Sequence, residues 1–175
     1  APPFTVPGDI AAAWDARQAG AAAEAGWRAA LDAYRAAYPD LAASLERRLS
    51  GELPEGWAGI AARMIQSARE EGESLATRVA SRKALEHLVP TLPELMGGSA
   101  DLSGSVGTKT AASVLFDPAA ATGNYLAYGV REFGMSTIMN GLALHGGFIP
   151  YAGTFMVFSD YAKNALRLAA LMGIR

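Results

Sequence analysis

The chain has 175 residues, no cysteine and a net charge of −2, with 51% hydrophobic and 18% charged residues. This composition suits a packed core and excludes disulfides, thiolate chemistry and a charge-driven partnership with nucleic acid or an anionic membrane. Two histidines, His87 and His145, are too few for a histidine-based metal site. No apolar run approaches the roughly 20 residues of a membrane span. Ala1-Pro2-Pro3-Phe4 lacks the layout of a signal peptide and reads as the interior of a longer protein. The absence of cysteine fits a reducing cytoplasm.

In chain order, two halves differ in character. Residues 1–75 carry a net charge of −4 and residues 76–175 a net charge of +2. The first half is rich in Ala and Arg. Asp9 is a candidate N-cap for a helix to about Arg17. A second helix runs from about Ala21 to Tyr38, with Trp27, Leu31 and Tyr34 on one face. Pro39 breaks it, and Leu41, Leu45 and Leu49 mark a third helix ending at Gly51. Trp57–Glu71 is a fourth. Their apolar stripes are too thin to form a core alone, so the segment reads as a helical linker lying on something larger.

The second half predicts an amphipathic helix over Leu75–Val89, ended by Pro90 and Pro93. A strand at Leu95-Met96-Gly97-Gly98 follows, then a long Ser/Gly/Thr/Ala-rich loop over 99–123. Next come an apolar stretch at Tyr125–Val130 and a helix from about Glu132 to His145, apolar enough to be buried on most sides. A strand at Phe148–Tyr151 and a helix from about Phe155 to Met172 complete an α/β pattern with a parallel sheet.

Four segments could carry chemistry, each with a plainer reading. Gly97-Gly98-Ser99-Ala100-Asp101 lets the backbone pass close to a ligand, or is merely a turn. Glu132 opens a buried helix, where an acid complements the helix dipole or serves as a buried functional carboxylate. Phe155, Phe158 and Tyr161 are three apart on one helical face, which suits a core or a cofactor pocket. The basic turn Thr77-Arg78-Val79-Ala80-Ser81-Arg82-Lys83 is a solvated face or a phosphate site.

Taken in order, these segments resemble the transketolase family over essentially the whole chain. The resemblance is carried by Leu92-Pro93-Glu94-Leu95-Met96-Gly97-Gly98-Ser99-Ala100-Asp101-Leu102, Gly123-Asn124-Tyr125 and Tyr128-Gly129-Val130-Arg131-Glu132-Phe133-Gly134-Met135. Leu144-His145-Gly146-Gly147-Phe148 and Gly153-Thr154-Phe155-Met156-Val157-Phe158 continue it. The resemblance implies an α/β fold: a helical linker over residues 1–72, then the N-terminal half (73–175) of a parallel-sheet, three-layer pyrimidine-binding domain for thiamine diphosphate.

It implies roles residue by residue. Glu132 is the catalytic carboxyl that shares a proton with N1′ of the aminopyrimidine, so that the imino nitrogen can deprotonate C2. Phe155, Phe158 and Tyr161 pack around the pyrimidine, with Phe158 the ring that stacks, and Asp101 lies near the cofactor. Arg78 and Ser105 hold the sugar phosphate, Arg82 being the alternative to Arg78. Around Ser105 the sequence Gly104-Ser105-Val106 departs from the family's usual Pro-Ser-Asn.

The Gly-Asp-Gly segment and the Mg²⁺ (or Ca²⁺) ligands would lie before Ala1, and a His- and Asp-bearing segment after Arg175. The expected activity is transfer of a two-carbon ketol unit between sugar phosphates by a cytoplasmic homodimer with its active site between subunits. This chain alone would be inactive. A related dihydroxyacetone synthase, or a non-catalytic dimerising module, are the alternatives.

Overall fold

Asp15 decides where the first two helices meet. The computed structural model describes residues 2–174, so the chain ends at Ala1 and Arg175 lie outside the described residues. The first helix, α1 (Gly8–Ala13), follows Pro7 without a side-chain cap, so Asp9 lies inside it rather than capping it. The second, α2 (Arg17–Ala37), starts earlier than the spacing predicts. The reason is local: the Asp15 carboxylate accepts the backbone N–H of Arg17 at 3.1 Å and its Nε–H at 2.8 Å. Pro39 opens the next helix, α3 (Pro39–Ser50), rather than only closing the previous one, as suits a residue with a preset φ and no N–H to satisfy.

The chain divides into two units, residues 1–46 and 47–175. Neither α1 nor α2 contains a buried residue. The second unit holds the sheet. It begins with the end of α3 and with α4 (Trp57–Glu71), which lies between left-handed glycines Gly56 and Gly72. The next helix, α5 (Thr77–Thr91), runs past Pro90. Its last turn survives because Leu92 N–H reaches Leu88 O at 2.9 Å and the Thr91 hydroxyl donates to His87 O at 2.7 Å.

The central strand β1 (Leu95–Ser99) is buried at all five positions. Its paired glycines are required by two tyrosine rings. A Cβ on Gly97 would meet the Tyr151 ring at 2.4 Å, and one on Gly98 the Tyr128 ring at 2.1 Å. Packed interiors do not tolerate such contacts. Two further strands, β2 (Tyr125–Ala127) and β3 (Ile149–Pro150), flank it in the order β2-β1-β3. Both pair in parallel, with Gly97 opposite Tyr125 and Leu95 opposite Ile149. Pro150 fits because Ile149 N–H donates to Glu94 O and Tyr151 N–H to Met96 O, each at 2.9 Å, so the ladder needs no N–H between them.

The segment predicted as a long loop contains a four-residue helix, α6 (Ser103–Val106), pinned by the Tyr125 hydroxyl donating to Ser103 Oγ at 2.7 Å. The following helix, α7 (Glu132–His145), buries only Glu132, Met135 and Ser136. The prediction that it is buried on most sides does not hold: Phe133, Ile138 and Leu144 are exposed. Among the described residues α7 packs chiefly against β3 and α8 (Ser159–Met172), whose Ala165 carbonyl accepts a hydrogen bond from Asn140 Nδ2 at 2.9 Å. Leu85, Val89, Leu92 and Leu95 form one small core, and Ala100, Tyr128 and Met135 another.

Candidate functional site

Parallel sheets offer ligand sites beyond the carboxyl ends of their strands, and three sequence-predicted residues fall there. Asp101 follows β1, Glu132 opens the helix after β2, and Phe155 follows β3. The turn into α7 is tied back to β1: Tyr128 N–H donates to Ser99 O at 3.2 Å. Arg131 Nη1 then donates to Tyr128 O at 2.9 Å. Glu132 is thereby fixed in the first turn, only 6% exposed, where the helix dipole favours its negative charge. Its Oε1 accepts a hydrogen bond from the Thr154 hydroxyl at 2.9 Å. Among the described residues, Oε2 has no hydrogen-bond partner.

Thr154 belongs to a cleft of about 510 Å³ that brings together Arg78, Ser105 and Phe155, with Ser81 and Thr108 beside them. Thr108, another lining residue, has a buried hydroxyl 2.8 Å from that of Tyr125. Arg82 lines a separate hollow with Lys83 and Glu71, so the structure distinguishes it from Arg78 by location. Asp101 is exposed, lies outside the cleft lining, and holds a left-handed backbone with φ of 65°. Aspartate visits that region more readily than most residues.

Phe155, Phe158 and Tyr161 form a tilted aromatic row, with ring centroids 5.7 and 6.0 Å apart. Such spacing suits edge-tilted aromatic packing. They do not lie on one continuous α-helical face. Phe155 is extended, Met156–Phe158 form a 3₁₀ turn, and α8 begins at Ser159. Of the three, only Phe155 lines the cleft; Phe158 is half-buried and Tyr161 exposed.

No role for Thr154 or Tyr128 is legible in the sequence, although both stand inside segments that carry the family resemblance. Thr154 could have been noticed as a lone hydroxyl beside an aromatic after a strand. Tyr128 carried no such signal. Its hydroxyl is buried without a partner among the described residues, and burial pushes its phenol up to about 12. No group of three or more His, Cys, Asp or Glu side chains among the described residues could hold a metal ion. No helix among them is long and apolar enough to cross a membrane.

The fold and site define an α/β domain with a small parallel sheet, whose strand ends lead to a buried carboxylate and a polar cleft edged by an aromatic ring. Residues 73–175 match the family model described as transketolase, pyrimidine binding domain, and residues 1–54 the one described as transketolase, thiamine diphosphate binding domain. The chain belongs to the transketolase family. It is 55% identical over 175 residues to the plasmid-encoded transketolase of Cupriavidus necator, covering 100% of this chain and 26% of that one. Transketolase 1 of Vibrio vulnificus is 51% identical over 174 residues, covering 99% of this chain and 26% of that protein. This chain thus spans about a quarter of the length of these relatives. A Pichia stipitis transketolase solved with sedoheptulose-7-phosphate superposes with a TM-score of 0.80 at 38% identity, over 96% of this chain and 25% of that one. The Campylobacter jejuni transketolase gives 0.73 at 30% identity, over 98% and 24%.

Proposed function

We propose that this chain is part of a transketolase, which transfers a two-carbon ketol unit between ketose and aldose phosphates with thiamine diphosphate. The observation that carries the reading is the buried Glu132 carboxylate, joined through Thr154 to the cleft lined by Arg78, Ser105 and Phe155. Residues 73–175 are half of the pyrimidine-binding domain and residues 1–72 a helical connecting segment. The similarity of residues 1–54 to the diphosphate-side family model is compatible with a helix run continuing from that domain.

The donor set fits the aminopyrimidine of the cofactor. A heteroaromatic ring with a basic nitrogen pairs with a buried carboxyl that has one oxygen uncommitted, and its face suits the Phe155, Phe158 and Tyr161 row. When bound, thiamine diphosphate supplies the electron sink for carbon–carbon bond cleavage. Glu132 holds the proton shared with the ring nitrogen at Oε2. Arg78 and Ser105 bind the sugar phosphate, the guanidinium by charge-assisted hydrogen bonds and the hydroxyl as a donor. Asp101 lies near the cofactor. Magnesium or calcium is held by ligands outside this chain, the enzyme is a cytoplasmic homodimer with its site between subunits, and the chain alone is inactive.

In the complete enzyme, Glu132→Gln should lower ketol transfer by about 10²–10⁴-fold, the span of a lost acid–base group, while the fold stays intact. Near-normal transfer by that variant would refute the reading.

A further inference from the structure

We propose that Thr154 is a positioning residue for Glu132: its hydroxyl takes Oε1 and leaves Oε2 as the one oxygen presented to a ligand. The inference rests on the proposed role of Glu132 and adds the group that orients it. The contact is a direct 2.9 Å hydrogen bond between a hydroxyl on the cleft and a carboxylate that is 6% exposed.

Both partners are anchored to the same end of β1, which makes their distance a property of the scaffold. On one side, Gly153 N–H donates to Gly98 O at 3.2 Å and Ala100 N–H to Gly153 O at 3.3 Å, bracketing the residue before Thr154. Gly153 is itself wedged in place: a Cβ there would meet Thr108 Cγ2 at 2.5 Å and Val106 Cγ2 at 3.0 Å. On the other side, Ser99 O holds Tyr128 N–H, and Tyr128 O holds the Arg131 side chain, one residue before Glu132. Thr154 is β-branched and therefore stiff at χ1, so an anchored backbone fixes its hydroxyl direction. A serine on the same anchored backbone keeps the donor. Since the hydroxyl donates, one acceptor site of Oε1 is taken, and Oε2 is the oxygen with both acceptor sites open for a proton shared with a ligand.

The alternative is that Thr154 merely satisfies a buried carboxylate, which would affect stability alone. Three variants in the complete enzyme separate these. Thr154→Val, nearly isosteric, should weaken thiamine diphosphate binding by about tenfold, the size of one charge-assisted hydrogen bond. The dissociation constant is read from the quenching of protein fluorescence in the presence of Mg²⁺. Thr154→Ser should restore most of the cofactor affinity. If Thr154→Val does not fold, Thr154→Ala deletes the same hydroxyl without burying an extra methyl and carries the same readouts. A hydroxyl-deleted variant that lowers only the melting temperature, with cofactor affinity intact, overturns the proposal; so does failure of serine to rescue. Glu132→Gln is the control for the underlying reading. If it keeps full turnover, the role of Glu132 fails. If it abolishes turnover while Thr154→Val binds cofactor normally, only the positioning role fails.

Discussion

The two units of this chain use the same helix-forming physics to opposite ends. In the first, α2 carries an apolar stripe through Trp27, Leu31 and Tyr34, yet no residue of it is buried, and Trp27 is 57% exposed. Its charged side chains pair at the surface, Glu24 with Arg28 and Asp32 with Arg35 within the helix, and Arg35 also with Glu46 of α3. In the second, β1 is buried throughout, its glycines fill spaces that no side chain could, and the ion pair at its start is long-range. Arg47 Nη1 and Nη2 grip the two oxygens of Glu94, each at 2.9 Å, and the Glu94 side chain is only 4% exposed. An exposed pair within one helix stabilises little, whereas a buried, bidentate pair leaves a costly orphan when broken.

That contrast can be tested by substitution. Arg47→Ala should destabilise the second unit the most, by about 3–4 kcal/mol, because the Glu94 carboxylate loses its bidentate partner in a buried setting. Urea unfolding followed by circular dichroism measures it, and a loss as small as that for a surface pair would erase the contrast. Gly98→Ala should follow at about 2–3 kcal/mol, through overpacking against the Tyr128 ring.

Acid offers a milder probe. The hydrogen bonds from Arg47 hold the folded Glu94 carboxyl below the usual carboxylate range. The stability this contributes is therefore fully present above the unfolded value of about 4.3 and is lost as pH falls through the lower folded value. A denaturation series from pH 6 downward should show this loss, and Glu94→Gln should flatten it. In the first unit the sign reverses. Gly26→Ala places a methyl in open space on α2 and should gain about 0.8 kcal/mol of helix stability, seen as slower amide exchange along α2. Tyr128→Phe has the smallest expected effect: it removes a buried hydroxyl without a partner, so melting temperature should stay level or rise slightly.

What the sequence made legible follows the same division between local and distant causes. The spans of α4 and α7 are readable to the residue, because glycines beyond their ends and helical periodicity are local signals. The parallel sheet and its glycine-bearing central strand are readable from the alternation of elements. The short helix α6 is not, since Tyr125, far along the chain, pins it. Nor is the outer face of α7, because apolar character alone does not say whether a partner lies within these residues. In the cleft, Arg78, Ser105 and Phe155 are legible through the family resemblance, and they line one cleft. Thr154 escaped because its meaning lies in a contact with Glu132 across the fold.

The order β2-β1-β3 also has a consequence in time. Of these three strands the middle one is synthesised first, and its two neighbours in the sheet reach it only when Tyr125 and then Ile149 have emerged. Parallel pairing across such separations forms slowly and leaves strand edges open meanwhile. The nascent chain therefore carries an apolar Leu95-Met96 edge that β3 covers only later, and the bond between Thr154 and Glu132 can form only after β3 has emerged.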